Sequence, residues 1–282
     1  MYKRQLGYRS LYTNSTGANN VGLGRQAMYA NTTGSNSTAV GAYALDACTT
    51  GSDNTAVGKN TLTAVTTGPG NSAFGGTAGD ALTTGADNVL IGYAAGTTDT
   101  NLITGSSNVL VGAYTEVGAT DCAGALVLGY NVTGAEGYTT LGNSGNDIRA
   151  AHGTASWSTV SDERVKKDIE DSTVGLSFIN DLRPRTFNYR NKGDIPEEFK
   201  GYEEGSTDPY KYSTTNHGFI AQEVKEVIDN HPDTADGFKL WDVRKTGQQE
   251  VAEAALIPVL TKAVQELSAK VEVLEKQLNN KE

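Results

Sequence analysis

Apolar and polar positions in the first half of the chain recur every 17 residues, whereas the second half ends in a heptad. Gly17, Gly34, Gly51, Gly68 and Gly85 mark one column of the repeat, and Gly24, Gly41, Gly58, Gly75 and Gly92 a second. Between them runs G-x-x-N-x-x-φ-G, with Asn20, Asn54, Asn71 and Asn88 at the fourth place and Ser37 substituting once. The apolar place φ holds Leu23, Val40, Val57, Phe74 and Ile91. Ala30, Ala47, Ala64 and Ala81 keep the same register and are followed by T-T-G or a close variant. A further unit, Gly105-Asn108-Val111-Gly112, arrives after a three-residue insertion, and units beyond Gly129 are irregular.

Seventeen residues are too few for a helix pair or a propeller blade. They suit one coil of a β-solenoid, with glycine at the positive-φ corners. The N-x-x-φ stretch alternates as a half-buried strand does. Stacked coils would align the asparagines in a ladder, each amide pairing with the next. The apolar stripe of each coil is too narrow for a thick core, and packing against copies of the same chain, as in a parallel trimer, would complete it. At one strand spacing of ~4.8 Å per coil, eight coils would make a shaft of roughly 40 Å.

The second half has a different character. Residues 1–160 carry 6 Lys/Arg and 9 Asp/Glu, and residues 161–282 carry 17 and 24. A boundary is expected between Asp147 and Ser161. At the far end Ile257, Leu260, Val264, Leu267, Val271, Leu274 and Leu278 are spaced 3-4-3-4-3-4, which predicts a coiled-coil helix over about 256–280. Lys262–Glu266, Glu266–Lys270 and Glu272–Lys276 stand at i,i+4 on its flanks.

Composition narrows the functions. A net charge of −10 without a basic cluster argues against nucleic acid as a partner. Cys48 and Cys122 lack CxxC spacing, so neither a disulfide framework nor a zinc site is expected. The start, M-Y-K-R-Q-L-G-Y-R-S, has no apolar h-region, and no apolar run is long enough to span a bilayer. Gly51 to Gly58-Lys59 resembles a P-loop only in its glycines, because Asn60 replaces the Ser/Thr that would bind magnesium. The calcium-roll motif is absent, and one carboxylate per coil is a poor hard-cation cage. No metal, no cofactor and no membrane insertion are expected.

The repeats resemble the head repeats of trimeric autotransporter adhesins over about residues 5–142, and phage fibres carry the same repeat. That resemblance implies parallel β-rolls in which three chains pack together. Because Leu6-Gly7 align with Leu23-Gly24, the chain opens in mid-repeat, and an upstream anchoring domain is expected elsewhere. Four segments carry a second resemblance: S-D-E-R-V-K-K-D-I-E from Ser161, L-R-P-R-T-F-N-Y (182–189), H-G-F-I-A-Q-E-V (217–224) and A-L-I-P-V-L-T-K-A-V-Q-E-L (255–267). In that order they resemble the self-cleaving, endosialidase-type intramolecular chaperone of phage tailspikes and tail fibres. A similar domain occurs in the myelin regulatory factor.

That family's Ser-Lys dyad lies in S-D-x-R-x-K and cuts just before the serine. The resemblance therefore implies Ser161 as nucleophile, Lys166 as general base and Val160–Ser161 as the scissile bond, with Asp162 and Arg164 holding the turn. His217 is the only histidine within a motif, and a packing role is expected for it. A solvated lysine titrates at ~10.4, so a basic amine near pH 7 needs a depression of ~3 units, about 4 kcal/mol, from burial or nearby cations. Only an assembled multimer would supply that. Ser161 and Lys166 do not share a helical face, so Ser161 must precede any helix or Lys166 must reach back.

The expected fold is thus a trimeric, parallel β-solenoid or β-roll followed by an α+β chaperone domain with a C-terminal trimeric coiled-coil helix. Residues 1–146 would form the shaft, 147–160 a linker and 161–282 the chaperone autoprotease. The expected function is that of a phage tail fibre or tailspike, with the chaperone made in the host cytoplasm and released from the virion part. Its partners would be two further copies, an upstream tail or fibre protein, and a host cell-surface receptor, glycan or protein. A polysaccharide depolymerase and a trimeric bacterial surface adhesin are the alternatives.

Overall fold

The computed structural model describes residues 3–144, 146–154, 156–159, 161–234 and 238–280. Contacts divide the chain into two units, Met1–Lys166 and Lys167–Glu282.

The first unit is a β-solenoid. One short strand per coil builds its main sheet: β1 (Lys3–Leu6), β2 (Asn20–Leu23), β3 (Thr38–Val40), β4 (Thr55–Val57), β5 (Ser72–Phe74), β6 (Val89–Ile91) and β7 (Val109–Val111). After the two-residue β8 (Glu116–Val117) come β9 (Leu126–Tyr130), β10 (Thr133–Gly134) and β11 (Tyr138–Asn143). Strands β1 to β7, β9 and β11 are parallel neighbours, and β8 pairs with β10 apart from them. Then β12 (Asn146–Ala151) and β13 (Ser158–Thr159) turn antiparallel and finish the sheet.

The strand alternation is present, and its sense is informative. Ala39, Ala56, Ala73, Leu90, Leu110 and Val127 point inward and are buried. The φ residues point outward in unbroken register, Leu6↔Leu23↔Val40↔Val57↔Phe74↔Ile91↔Val111↔Leu128. The core is therefore filled by the alanine column and by Leu11, Met28, Leu45 and Leu62 from the opposite wall of each coil. Volumes compensate along the shaft. Where Leu90 and Leu110 enlarge the inner column, Gly79 and Gly96 replace the facing leucines, and a Cβ on Gly79 would lie 2.5 Å from Leu90 Cδ1.

Buried asparagines in successive coils bond one another. The Asn71, Asn88 and Asn108 Nδ2 groups donate to the Oδ1 of Asn54, Asn71 and Asn88 at 3.2, 3.0 and 3.0 Å. Those oxygens also accept the backbone N–H of the following asparagine. A ladder satisfied this way costs little to bury and fixes coil register. Cys48 occupies the place held by Asn14 and Asn31 in earlier coils, and its thiol donates to the Gly51 carbonyl. Burial pushes that thiol up to about 11.

The glycine columns differ from the expected uniform positive φ. Gly41 and its equivalents adopt it (φ 136° at Gly41). The Gly51 column does not: a Cβ there would lie 2.7 Å from the Gly68 carbonyl oxygen of the next coil, so close backbone stacking requires it. Other left-handed corners are taken by ordinary residues such as Leu45 and Asn60.

The second unit is small and α+β. It comprises α1 (Leu176–Asp181), β14 (Arg185–Phe187), β15 (Asn216–Gly218), α2 (Ala221–Asn230), β16 (Trp241–Val243), β17 (Gln249–Val251) and the 24-residue α3 (Leu256–Asn279). Phe178, Leu182, Val224, Leu240, Leu256 and Val259 form its core. Only the first turns of α3 contribute, through Leu256, Val259 and Ala263. The heptad residues lie on another face and are exposed, from 44% at Leu260 to 66% at Leu278. Glu266, expected to pair with Lys262 and Lys270, instead accepts the Leu176 N–H at 2.9 Å and caps α1.

The three-residue insertion is held by a buried carboxylate. Glu116 accepts the Thr98 and Thr133 hydroxyls at 2.6 Å each and the N–H groups of Asp99 and Thr100. Burial opposes its ionisation, but these four donors prevail and hold it below its ordinary value. A depressed carboxylate stabilises the fold above the unfolded-state value near 4.5 and loses that contribution as pH falls through the folded-state value. Glu116→Gln is therefore expected to lower thermal stability at pH 7 by about 1–3 kcal/mol and to flatten the acid limb of the Tm–pH curve. An unchanged acid limb would contradict the role.

Candidate self-cleavage site

The junction is built from a short turn. Within S-D-E-R-V-K-K-D-I-E helical geometry is confined to Glu163–Val165, a single 3-10 turn. Asp162 caps it, accepting the Arg164 N–H at 2.9 Å. The Arg164 guanidinium closes on the same carboxylate, Nε to Oδ1 at 2.9 Å and the terminal nitrogen to Oδ2 at 2.5 Å. This fork holds the Asp162 carboxyl below the usual range.

Lys166 follows the turn in extended backbone. From there its side chain folds back, and Nζ donates to Ser161 Oγ at 2.7 Å. Ser161 precedes the turn and Lys166 reaches back to it, satisfying both geometric conditions for contact between residues five apart. Both are exposed in the single chain. Thr159, on the other side of the junction, belongs to β13, which pairs with β12 in the register Ile148↔Thr159 and Arg149↔Ser158. Val160 lies outside the described residues.

The structure thus brings together Ser161, Asp162, Arg164 and Lys166. His217 is in the second unit, in β15 opposite Thr186. His152 approaches the Thr139 hydroxyl at 3.3 Å. His231 caps the C-terminus of α2, meets Asp181 at 2.7 Å and stands edge-on to Phe178.

Two motif segments in the second unit meet. L-R-P-R-T-F-N-Y and H-G-F-I-A-Q-E-V supply β14 and β15, a two-stranded antiparallel pair. Arg185 forks onto Glu223 at 2.9 and 2.5 Å, and Arg183 approaches it at 3.5 Å. The Arg185 hydrogen bonds depress the Glu223 carboxyl. Sequence reading did not assign these residues, although the signal was present as arginines in one motif and a glutamate in the other. Among the described residues no cluster of His, Cys, Asp or Glu could hold a metal ion, and no helix is long and apolar enough to cross a membrane.

Residues 161–232 match the family model described as the chaperone of endosialidase, a peptidase family. Together with the solenoid that precedes it, this domain fits an endosialidase-type tail fibre carrying its own chaperone. No curated protein and no solved structure matches significantly.

If the Asp162–Arg164 fork sets the turn, Asp162→Ala should release Lys166 and slow any processing at the junction about tenfold or more. Asp162→Asn, which keeps the cap to the Arg164 N–H, should be milder. Rates from timed gels that are equal for wild type and Asp162→Ala would rule the fork out.

Proposed function

We propose that the chain is part of a bacteriophage tail fibre or tailspike whose residues 161–282 drive homotrimerisation and then release themselves by cutting between Val160 and Ser161. The observation that carries this reading is the 2.7 Å contact between Lys166 Nζ and Ser161 Oγ, at the first residue of the family match. Ser161 is the nucleophile and Lys166 the general base, and no other enzymatic activity is assigned. The functional boundary falls at this bond, with a structural, receptor-binding shaft before it.

Chemistry explains why assembly comes first. A solvated amine is protonated near neutral pH and cannot take the serine proton. Both side chains are open to water in the single chain, so burial by neighbouring copies would have to favour an uncharged amine. Two exposed apolar rows favour that burial. One is the outward φ row, exemplified by Phe74 at 59% exposure, and the other is the heptad face of α3. Each is a repeat that another copy of the chain matches in spacing. The count of three follows the family resemblance. Cutting would then report completed assembly, and departure of the chaperone would leave the shaft kinetically trapped.

Expression followed by a denaturing gel tests the dyad. Wild type should give fragments ending at 160 and beginning at 161. Ser161→Ala and Lys166→Ala should stay full length, slowed by at least about 100-fold, while running as trimers on gel filtration. Processing of all three proteins alike would refute the assignment.

A further inference from the structure

The solenoid wall that follows the Gly41 column of glycines carries side chains of a different kind from the φ row. Two places after those glycines stand Gln26, Tyr43, Asn60 and Thr77, and five places after them Tyr12, Tyr29, Asp46, Thr63 and Asp80. In the first coils large rings fill the second of these columns, with Tyr12 and Tyr29 stacked at 5.5 Å between centroids. From Asp46 onward its side chains are short. There the wall opens into a cleft of about 360 Å³ lined by Tyr43, Asn60, Thr63 and Asp80.

We infer that this cleft binds an uncharged, hydroxyl-rich segment of a host surface glycan. The inference rests on the reading of the solenoid as the receptor-binding part of a fibre, and adds the ligand class and its place on the shaft.

The lining is the first reason. One aromatic ring stands among an amide, a hydroxyl and a carboxylate, with no aliphatic side chain. A sugar ring has the matching surfaces: C–H faces that pack on an aromatic ring, and hydroxyls at its edge that both donate and accept. An apolar ligand would leave the polar lining unpaired. Asp80 is the one charged residue of the lining, so an acidic sugar would bring a like charge against it.

Rigidity is the second reason. The Arg25 guanidinium lies 5.4 Å from the centroid of the Tyr43 ring. The Tyr43 N–H donates to the Arg25 carbonyl at 2.8 Å, and the Thr63 hydroxyl donates to the Tyr43 carbonyl at 3.2 Å. A platform held in this way loses little freedom when a ligand arrives. The third reason is a shortage of donors. Asp46 stands one coil before Thr63 in the same column, and its Oδ1 is buried with no donor among the described residues. Burial raises the Asp46 and Asp80 carboxyls. A turn of the Asp46 side chain toward the cleft would let sugar hydroxyls supply the missing donor.

Dimensions agree. Tyr43 and Asp80 belong to coils two apart, a span of roughly 10 Å, which suits a short run of sugar rings rather than one small solute. The corner at Gly41, with φ 136°, separates this wall from Val40 and the φ row. The cleft is therefore distinct from the face proposed to meet further copies.

The test uses the full chain, purified as it assembles, on a printed array of uncharged and acidic bacterial surface polysaccharides, followed by titration of those retained. Wild type is expected to hold at least one uncharged polysaccharide. Tyr43→Ala and Asp80→Asn should weaken that binding about tenfold or more. Tyr43→Phe, which keeps the ring, and Tyr12→Ala, which lies outside the cleft, should bind as wild type does. Thermal melting on the same samples identifies a variant that fails to fold. The nearly isosteric Asp80→Asn carries the test if Tyr43→Ala does so. Retention of acidic polysaccharides alone, of none at all, or equal binding by wild type, Tyr43→Ala and Asp80→Asn would each overturn the site. Trimer mass and cleavage at Val160–Ser161, measured on the same preparations, judge the fibre reading separately.

Discussion

A lysine can take a proton from serine only after losing its own, and water keeps it protonated. That constraint governs how the features of this chain fit together. The turn at 161–166 sets the geometry within a single chain: Asp162 caps, Arg164 closes the fork, and Lys166 Nζ rests on Ser161 Oγ. What the single chain does not provide is shelter, since both side chains of the proposed dyad are exposed. The proposed chaperone therefore needs no separate sensor of assembly. On the proposed reading the Ser161–Lys166 pair would itself be the sensor, because burial disfavours the charged form of an amine.

The same incompleteness recurs in both units. In the solenoid, each three-residue strand turns one small residue inward and places its φ side chain outward, so the coil closes around alanines and facing leucines while an apolar row stays in water. In the second unit, α3 buries Leu256, Val259 and Ala263 in its own domain and leaves the heptad uncovered. The asparagine ladder and Glu116, by contrast, find their partners inside the chain, the latter through four donors. Two periodic apolar faces left exposed are the basis on which the proposed association with further copies of the chain rests.

Much of this was legible in the residues. The 17-residue period specified the parallel register, because identical positions stack on identical positions, and it foretold the asparagine ladder. The sense of the strands was less accessible. Thr-Ala-Val alternates whichever face is inside, and only the facing column of Leu45 and Leu62 shows that alanine goes in. Likewise the Gly51 column looks like the Gly41 column in sequence, although one serves close stacking and the other a positive φ. At the junction the Ser161–Lys166 pairing was readable from the family motif. The turn itself was not legible there: Lys166 is extended and helical geometry stops at Val165. The pairing of Glu223 and the capping role of Glu266 were not legible because their partners, Arg185 and the α1 N-terminus, are remote in sequence.

The dependence of cutting on association is the claim that matters most. Val264→Glu with Leu267→Glu charges the exposed heptad face while leaving Leu256, Val259 and Ala263 in place. Sedimentation velocity and a denaturing gel on the same preparation would give the mass of the assembly and the extent of cleavage together. The variant is expected to sediment as a monomer and to remain whole at Val160–Ser161, beside wild type that is trimeric and cut. A monomeric variant that is cut as fast as wild type would contradict the account.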